Sequence, residues 1–301
     1  MLYPDFNELL QYGNRTDKWD INSKRPVLSN VAGQSHSPFR GQGLEFEEVR
    51  EYVHGDDIRN IDWRVTARTG KPHLKLFSEE RERSVMVCVD VNHTMKFGTK
   101  NTFKSIQAAR AAALLTWSAI ASHNRVGSAF FGNVPGGMAF VDPSRSRRAL
   151  WRTLKQLCDH TIYYQESVSL SNHLQYLNKA VPSGALVFII SDFMTIDDSL
   201  KKRLANLHRH ADVVLISIND PAEAWLPSIG DIKLSDDHQS TKIDSHDATG
   251  GERYHQHWQQ NRQALKTIVQ SLGLSWIKLF TPDDVRSVLR QEIKRLARKR
   301  A

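Results

Sequence analysis

The segment SVMVCVDVNHTMKFG, residues 84–98, contains an apolar run that ends at an aspartate. Asn92 and Thr94 follow Asp90 at alternate positions, so oxygen-bearing side chains succeed one another directly after the run. Short apolar runs are typical of strands buried in a parallel sheet, and ligands of such sheets bind at the carboxyl ends of the strands. The segment therefore predicts a buried strand followed by a loop that binds a cation or a phosphate.

Downstream of Ser84, short apolar runs alternate with longer segments of helical periodicity. The runs that predict strands are, in order, SVMVCVD, RVGSAFFGN with its hairpin partner GGMAFVD, GALVFIISD, DVVLISIND and LSWIKLF. Strands and helices in alternation indicate a mostly parallel sheet with helices on both faces. We therefore predict one three-layer, Rossmann-like α/β domain over residues 84–301. Residues at about 221–250 are predicted as an insertion at the sheet edge, with short strands at DIKLS and STKID and a helix later, at RQALKTIVQSLG.

The first 83 residues differ in character, because charges of both signs are dense there. Ile61, Trp63 and Val65 alternate with polar residues, TGKP provides a turn, and Leu74 and Leu76 alternate beyond it. This pattern predicts a β-hairpin within a small β-rich N-terminal extension. We expect Trp63 to bury its ring against the main domain, as large aromatic side chains do in cores.

Composition narrows the class of protein. Of the 301 residues 41 are basic and 33 acidic, giving a formal charge of +8, but the two signs are interleaved, so we expect no nucleic-acid partner.

Cys88 and Cys158 fall in apolar or helical patterns, which indicates buried thiols in a reducing compartment. The N-terminus lacks the pattern of a signal peptide, and no apolar run approaches the roughly 18 residues of a membrane span. We expect a cytoplasmic protein.

A second aspartate, Asp192 in FIISDF, ends another predicted central strand. If the two strands are close in the sheet, Asp90, Asn92, Thr94 and Asp192 form an oxygen-rich pocket. Such a pocket suits Mg²⁺, which binds one or two carboxylates and retains several waters. A simpler interpretation stays open, in which both aspartates only cap the helices that follow them.

The DVNHT motif resembles the D-x-S-x-S motif of the metal-ion-dependent adhesion site in von Willebrand factor type A domains. In this resemblance Asn92 and Thr94 replace the two serines, and Asp192 is the aspartate that joins the site from a second strand. A hydroxyl from an intervening loop completes the family's site. Ser169 is our choice for it, with Ser167 and Ser171 left open. The resemblance implies Mg²⁺, with Mn²⁺ or Ca²⁺ as alternatives.

The upstream segments EYVHGDDIRNIDW and ARTGKPHLKLFSEER are similar almost word for word to the signature of the bacterial family called Domain of Unknown Function 58. This family resembles von Willebrand A domains and accompanies MoxR-type AAA+ ATPases. The resemblance implies a metal-dependent, protein-binding adaptor in protein-complex maturation or stress response, with a MoxR-type ATPase and other von Willebrand A proteins as partners. The charged residues matched by the signature are then candidates for partner or interdomain contacts, some of them pairing with one another: Arg50, Asp56, Asp57, Arg59, Asp62, Trp63, Arg64 and Arg68.

An enzymatic alternative comes from the same motif. DVNHT also resembles the D-x-D-x-T motif of haloacid-dehalogenase-type phosphatases, and SDFMTIDD resembles their final acidic motif. In that family Asp90 would be the nucleophile and the residue at position 92 the general acid. Asn92 cannot supply a proton, so the sequence favours a non-enzymatic binding module over a phosphatase.

Overall fold

A computed structural model describes residues 3–14, 44–54, 56–79, 83–99, 102–161, 169–235, 240–245 and 247–300 of the chain. The chain divides into two compact units, of which the smaller is Ser29–Glu82 and the larger combines Met1–Leu28 with Arg83–Ala301. Helix α1 (Phe6–Asn14), which the sequence assigned to the N-terminal extension, belongs to the larger unit. Its Leu9 is buried in the core of that unit, and Trp117 Nε1 donates a hydrogen bond to the Leu9 carbonyl at 3.1 Å.

The smaller unit is built on an antiparallel pair of strands, β1 (Leu44–Glu51) and β2 (His73–Glu79), with helix α2 (Trp63–Thr69) between them. The predicted hairpin is therefore wrong in one strand: β2 pairs with β1, and only Ile61 forms an isolated bridge to β2. The helix forms because Asp62 caps it, accepting hydrogen bonds from the backbone N–H groups of Arg64 and Val65, and because Gly70 ends it with φ of 75°. These end signals outweigh the alternating apolar pattern.

The strands and helices of the larger unit continue in sequence order. The strands are β3 (Ser84–Val91), β4 (Arg125–Gly132), β5 (Met138–Ser144), β6 (Leu186–Ser191), β7 (Asp212–Asn219), β8 (Asp231–Ser235), β9 (Ser240–Asp244) and β10 (Ser275–Phe280). The helices are α3 (Lys104–Ala121), α4 (Arg147–Leu157), α5 (Leu170–Ala180), α6 (Asp198–His210), α7 (Pro221–Ala224), α8 (Ala248–Leu272) and α9 (Val285–Arg300). Six strands form one sheet in the order β10-β7-β6-β3-β4-β5, in which β5 alone runs antiparallel to its neighbour.

The sheet separates two apolar layers, which confirms the predicted three-layer α/β fold. Along β3 the side chains alternate, so Val85, Val87 and Val89 pack with helices α3, α4 and α9, while Met86 and Cys88 pack with α5, α6 and α8. This alternation follows from the period of two in a strand. The central strands are buried on both faces, as expected for a parallel sheet covered by helices.

The insertion after β7 contains the two short strands that the sequence predicts. Strands β8 and β9 pair antiparallel in a separate two-stranded sheet, and α8 follows. Helix α8 begins at Ala248, earlier than predicted, because Asp247 caps it by accepting from the Thr249 N–H at 3.0 Å, although two glycines occupy its first turn.

The sequence predicts that both cysteines are buried, which is correct for Cys88 and only partly correct for Cys158. Cys88 is buried and Cys158 half-buried, and both are free thiols. Within the described ranges, every helix falls short of the combination of length and apolar character that crossing a bilayer requires.

Candidate functional site

The two aspartates lie at neighbouring strand ends, as the sequence predicts. Strands β3 and β6 pair in parallel, with Val89 opposite Ile190. Asp90 is the penultimate residue of β3, and Asp192 directly follows β6. Both are buried, at 5% and 3% exposure. Because parallel strands place their carboxyl ends at one edge, residues far apart in sequence form one cluster there.

Asp90 is held by hydrogen bonds on both of its oxygens. Its Oδ1 accepts from the Asn92 backbone N–H at 2.9 Å and from Asn92 Nδ2 at 2.8 Å, while Oδ2 accepts from Ser191 Oγ at 2.6 Å. Burial raises the pKa of Asp90 to about 7, and the nearby charge of Asp192 adds to the shift, although these hydrogen bonds oppose it. Asp90 is therefore a buried carboxyl group that titrates near neutral pH.

Asp192 is paired with a lysine that sequence analysis did not select. Lys104 is the first residue of α3 and is 1% exposed; its Nζ lies 2.7 Å from Asp192 Oδ2 and also donates to Glu223 Oε1. Glu223 belongs to the short helix α7, where its other oxygen accepts from the Asp220 N–H at 2.9 Å in a capping box. Burial alone lowers the pKa of Lys104, but the charges of Asp192 and Glu223 outweigh it, so the net shift is upward.

A second cation, Arg262 of α8, fixes the loop that follows β6. Its Nη2 donates to the backbone carbonyls of Asp192 at 2.7 Å and Phe193 at 3.2 Å, and its Nη1 donates to Asn219 Oδ1 at 3.0 Å. Phe193 has φ of 50°, a left-handed conformation that is strained for an aromatic residue. The hydrogen bonds from Arg262 to these two carbonyls therefore stabilise an unfavourable backbone conformation at Phe193.

The remaining residues predicted for the metal site have other surroundings. Thr94 is exposed, and its hydroxyl makes no hydrogen bond to any residue that the structure describes. Ser169 caps α5 by accepting from the Asn172 N–H at 3.2 Å. Ser171 Oγ donates to Asp197 Oδ1 at 2.7 Å, and Ser167 lies outside the described residues. The structure thus joins Asp90, Asn92 and Asp192 and ties neither Thr94 nor Ser169 to them by a hydrogen bond.

This donor set does not fit the predicted magnesium ion. Both oxygens of Asp90 already accept hydrogen bonds, and Asn92 presents its amide N–H groups rather than its oxygen to that carboxyl. Both oxygens of Asp192 are engaged as well: Oδ1 accepts from the Met194 N–H at 3.1 Å, and Oδ2 is paired with the Lys104 ammonium. Across the described part of the chain, no three His, Cys, Asp or Glu side chains are arranged to hold a metal ion. The metal site stays a prediction from the sequence resemblance.

The cluster depends on a close approach between β4 and the loop after β3. Gly132 ends β4 with φ of 110°, and a Cβ placed there would lie 2.6 Å from Asn92 Oδ1. We expect Gly132→Ala to displace Asn92 from Asp90 and to lower the free energy of unfolding by roughly 1–3 kcal/mol, as strained positions do. Urea unfolding measures this loss.

The matched control for that variant is Gly136→Ala. Gly136 also has positive φ, at 68°, but a Cβ there would meet no atom within 4 Å. It therefore reports backbone strain without the clash. Equal losses in the two variants would contradict a specific role for the contact between Gly132 and Asn92.

In the smaller unit, the aspartates of the signature stabilise local structure. Asp56 forms an ion pair with Arg50 at 2.7 Å and accepts from the Val53 N–H at 2.9 Å. Asp57 caps a 3₁₀ turn over residues 58–60. Asp62 caps α2 and lies 3.5 Å from the Lys75 ammonium. The expectation that some of the charged residues pair with one another therefore holds for Arg50 and Asp56.

The arginines and the tryptophan of the same signature differ from the aspartates. Trp63 is 71% exposed, so the expectation that its ring is buried is wrong; as the first residue of a short helix it projects from the unit. Arg59, Arg64 and Arg68 are exposed and form no ion pair with any residue in the described ranges. Ile58 is also exposed, at 64%. We call these five residues the arginine–tryptophan surface.

The chain is similar to proteins of two mycobacteria and to solved structures. Uncharacterized proteins of Mycobacterium tuberculosis and Mycobacterium bovis are 30% identical over 222 residues, covering 72% of this chain and 68% of theirs. Among solved structures, BatB from Bacteroides thetaiotaomicron has 11% identity and a TM-score of 0.45, covering 72% of this chain and 99% of that one. The VWA domain of SpRpn10 has 11% identity and a TM-score of 0.43, covering 70% and 95%. The model of the family described as "Protein of unknown function DUF58" matches residues 48–264, and the chain belongs to that family.

Proposed function

We propose that this von Willebrand A-like chain is a non-enzymatic protein-binding module that acts as an adaptor of a MoxR-type AAA+ ATPase, in protein-complex maturation or stress response. The ATPase is the partner that the family resemblance implies. The observation that supports a binding role is the arginine–tryptophan surface, which combines an exposed aromatic ring with arginines that have no acidic partner among the described residues.

The signature contains residues with a structural role and residues without one, and this difference supports the proposal. Asp56, Asp57 and Asp62 are engaged in ion pairs and helix caps, which accounts for their presence by folding alone. Folding gives no such account of an exposed Trp63 beside Arg64. Tryptophan and arginine are the side chains most enriched among residues that dominate binding energy, and arginine recognises carboxylates with two hydrogen bonds. The partner surface is therefore acidic.

The surroundings of Asp90 count against the phosphatase alternative. Its side chain is buried and both oxygens accept hydrogen bonds, so neither is free to attack phosphorus. Asn92 donates to Asp90 from the position where the phosphatase family needs a general acid. No observation of the site favours hydrolysis over binding. Magnesium-dependent phosphate release that Asp90→Ala abolishes would reverse this conclusion.

The test is a binding measurement between the full chain and a purified MoxR-type ATPase. We expect Trp63→Ala, and separately the double change Arg64→Ala with Arg68→Ala, to weaken binding by more than about tenfold, because dominant interface residues each contribute about 2 kcal/mol. The melting temperature should stay unchanged, since Trp63 is exposed. Parallel measurements in magnesium and in EDTA test whether binding requires a metal, as the resemblance implies.

Lys71→Ala is the matched control. Lys71 is another exposed cation of the same unit, but it is paired with Glu51 at 3.2 Å. Its removal should leave binding unchanged. Full binding by the Trp63 and arginine variants would refute the arginine–tryptophan surface as the contact site, and absence of binding by the wild-type chain would refute the ATPase as the partner.

A further inference from the structure

Lys104 supplies a positive charge at the edge of the sheet where the sequence predicts a bound cation. Its ammonium is buried, donates to Asp192 Oδ2 at 2.7 Å and contacts Glu223 Oε1. A buried ammonium is strongly unfavourable unless it is paired and hydrogen-bonded, and so are buried carboxylates. Asp192 and Glu223 are therefore mutual counterions with Lys104.

The position of Lys104 in its helix is unfavourable without these partners. It is the first residue of α3, where the helix dipole repels cations, and the preceding Phe103 gives no side-chain cap. The rest of the buried face of α3 is mostly alanine and leucine, which pack against the sheet. A lysine at the first position therefore does not stabilise the helix. Its favourable interactions are those with the carboxylates that it contacts.

The charges around the site leave little attraction for another cation. Arg262 adds a second buried positive group, with its guanidinium bonded to the backbone of Asp192 and within reach of the charges of Asp192 and Glu223. A divalent ion between Asp90 and Asp192 would lie beside both Lys104 and Arg262. It would also have to displace the hydrogen bonds that Ser191 and Asn92 donate to Asp90. In the protein interior, the positive charges of Lys104 and Arg262 would repel such an ion strongly.

We infer that Lys104 is the resident cation of this site: its ammonium neutralises Asp192 and Glu223 in place of a divalent metal, and the carboxyl edge of the sheet forms without one. The inference departs from the metal-dependent site that the sequence resemblance implies. It concerns the isolated chain, so it does not depend on the proposed partner and can fail or succeed separately from it.

The test uses Mn²⁺ as the probe, followed by electron paramagnetic resonance of the free ion and by thermal unfolding. We expect the wild-type chain to leave the free Mn²⁺ signal undiminished and to unfold at the same temperature in Mn²⁺ and in EDTA. Lys104→Ala removes the ammonium and leaves Asp192 and Glu223 without it. Because apposed carboxylates repel until a cation joins them, we expect this variant to bind Mn²⁺ at least about tenfold more tightly than the wild type. Its unfolding temperature should rise with added Mn²⁺.

Lys96→Ala is the control. Lys96 is an exposed lysine at the end of the turn that follows Asn92, and its loss should create no Mn²⁺ binding. Stoichiometric Mn²⁺ binding by the wild type that Asp90→Asn abolishes would overturn the inference. A folded Lys104→Ala variant without increased Mn²⁺ binding would overturn it as well. If Lys104→Ala does not fold, the wild-type titration with Asp90→Asn decides the question alone.

Discussion

Lys104→Met is expected to lower the free energy of unfolding by about 3–5 kcal/mol, because it leaves two buried carboxylates without their counterion. Methionine approximates the length of the lysine chain, so the loss reports the ammonium rather than a cavity. Asp192 and Glu223 are 3% and 7% exposed, so water cannot hydrate their carboxylates once the ammonium is removed. Chemical denaturation of the two proteins at neutral pH measures the difference.

Lys96→Met serves as the control for this change, since Lys96 is exposed and should cost little. Adding Glu223→Gln to Lys104→Met should recover part of the loss, because removal of both partners leaves one unpaired carboxylate fewer. A loss below about 1 kcal/mol in Lys104→Met, the size typical of a surface ion pair, would contradict the pairing that the structure shows.

The fold could be predicted from the sequence where periodicity is strong. Apolar runs such as β3 and β6 have no competing interpretation, and the alternation with helices determines a parallel sheet. Prediction failed at α2, where Ile61, Trp63 and Val65 match a strand but Asp62 and Gly70 supply the start and end of a helix. In so short a segment, two end signals outweigh an alternating pattern.

The candidate site could be predicted only in part, for a physical reason. Asp90 and Asp192 end apolar strands, and the parallel sheet then places them together. Lys104 gave a weak signal, as a cation at the start of a helix rich in alanine and leucine, and Glu223 gave a weaker one within a capping box. Their pairing joins a helix to an insertion far along the chain, and no local pattern specifies such a contact.

Exposure could not be predicted from a family signature at all. A motif shows only that a residue type recurs at a position. Residues recur in this way both in protein cores and on binding surfaces, so the motif does not indicate exposure. Trp63 was expected to bury its ring against the main domain, whereas the structure leaves it 71% exposed. Asp57 and Asp62 of the same signature are structural caps, so one motif combines residues with two different physical roles.

The pH dependence of stability provides the second large expected effect, and it depends on Asp90. Its pKa is about 7 in the folded chain, against 3.8 for an ordinary aspartate. Between those values the folded state holds a proton that the unfolded state has released, so stability falls as pH rises through this window. At about 1.4 kcal/mol per pH unit, the total is about 4 kcal/mol. Below the window this cost is absent, and above it the cost is fully present.

Asp90→Asn should remove this dependence, because an amide does not ionise. Its oxygen can still accept the two hydrogen bonds from Asn92, and the Ser191 hydroxyl can turn to accept from its N–H group. We therefore expect the stability of Asp90→Asn relative to the wild type to increase steadily from pH 4 to pH 7, by up to about 4 kcal/mol. Urea unfolding of both proteins at several pH values measures the difference, from which the titrations of groups that do not interact with Asp90 cancel.

Asp197→Asn is the opposing control for this series. Burial raises the pKa of Asp197, but hydrogen bonds from Ser171 and Ser199 outweigh it and the net shift is downward. Its contribution is therefore present above the ordinary aspartate pKa and is lost as pH falls below it. The Asp197 variant should differ from the wild type at neutral pH and converge with it in acid, whereas the Asp90 variant should diverge as pH rises. A constant difference between Asp90→Asn and the wild type across the range would mean that folding does not raise the pKa of Asp90, and that Lys104 and Arg262 stabilise the charged forms of Asp90, Asp192 and Glu223 together.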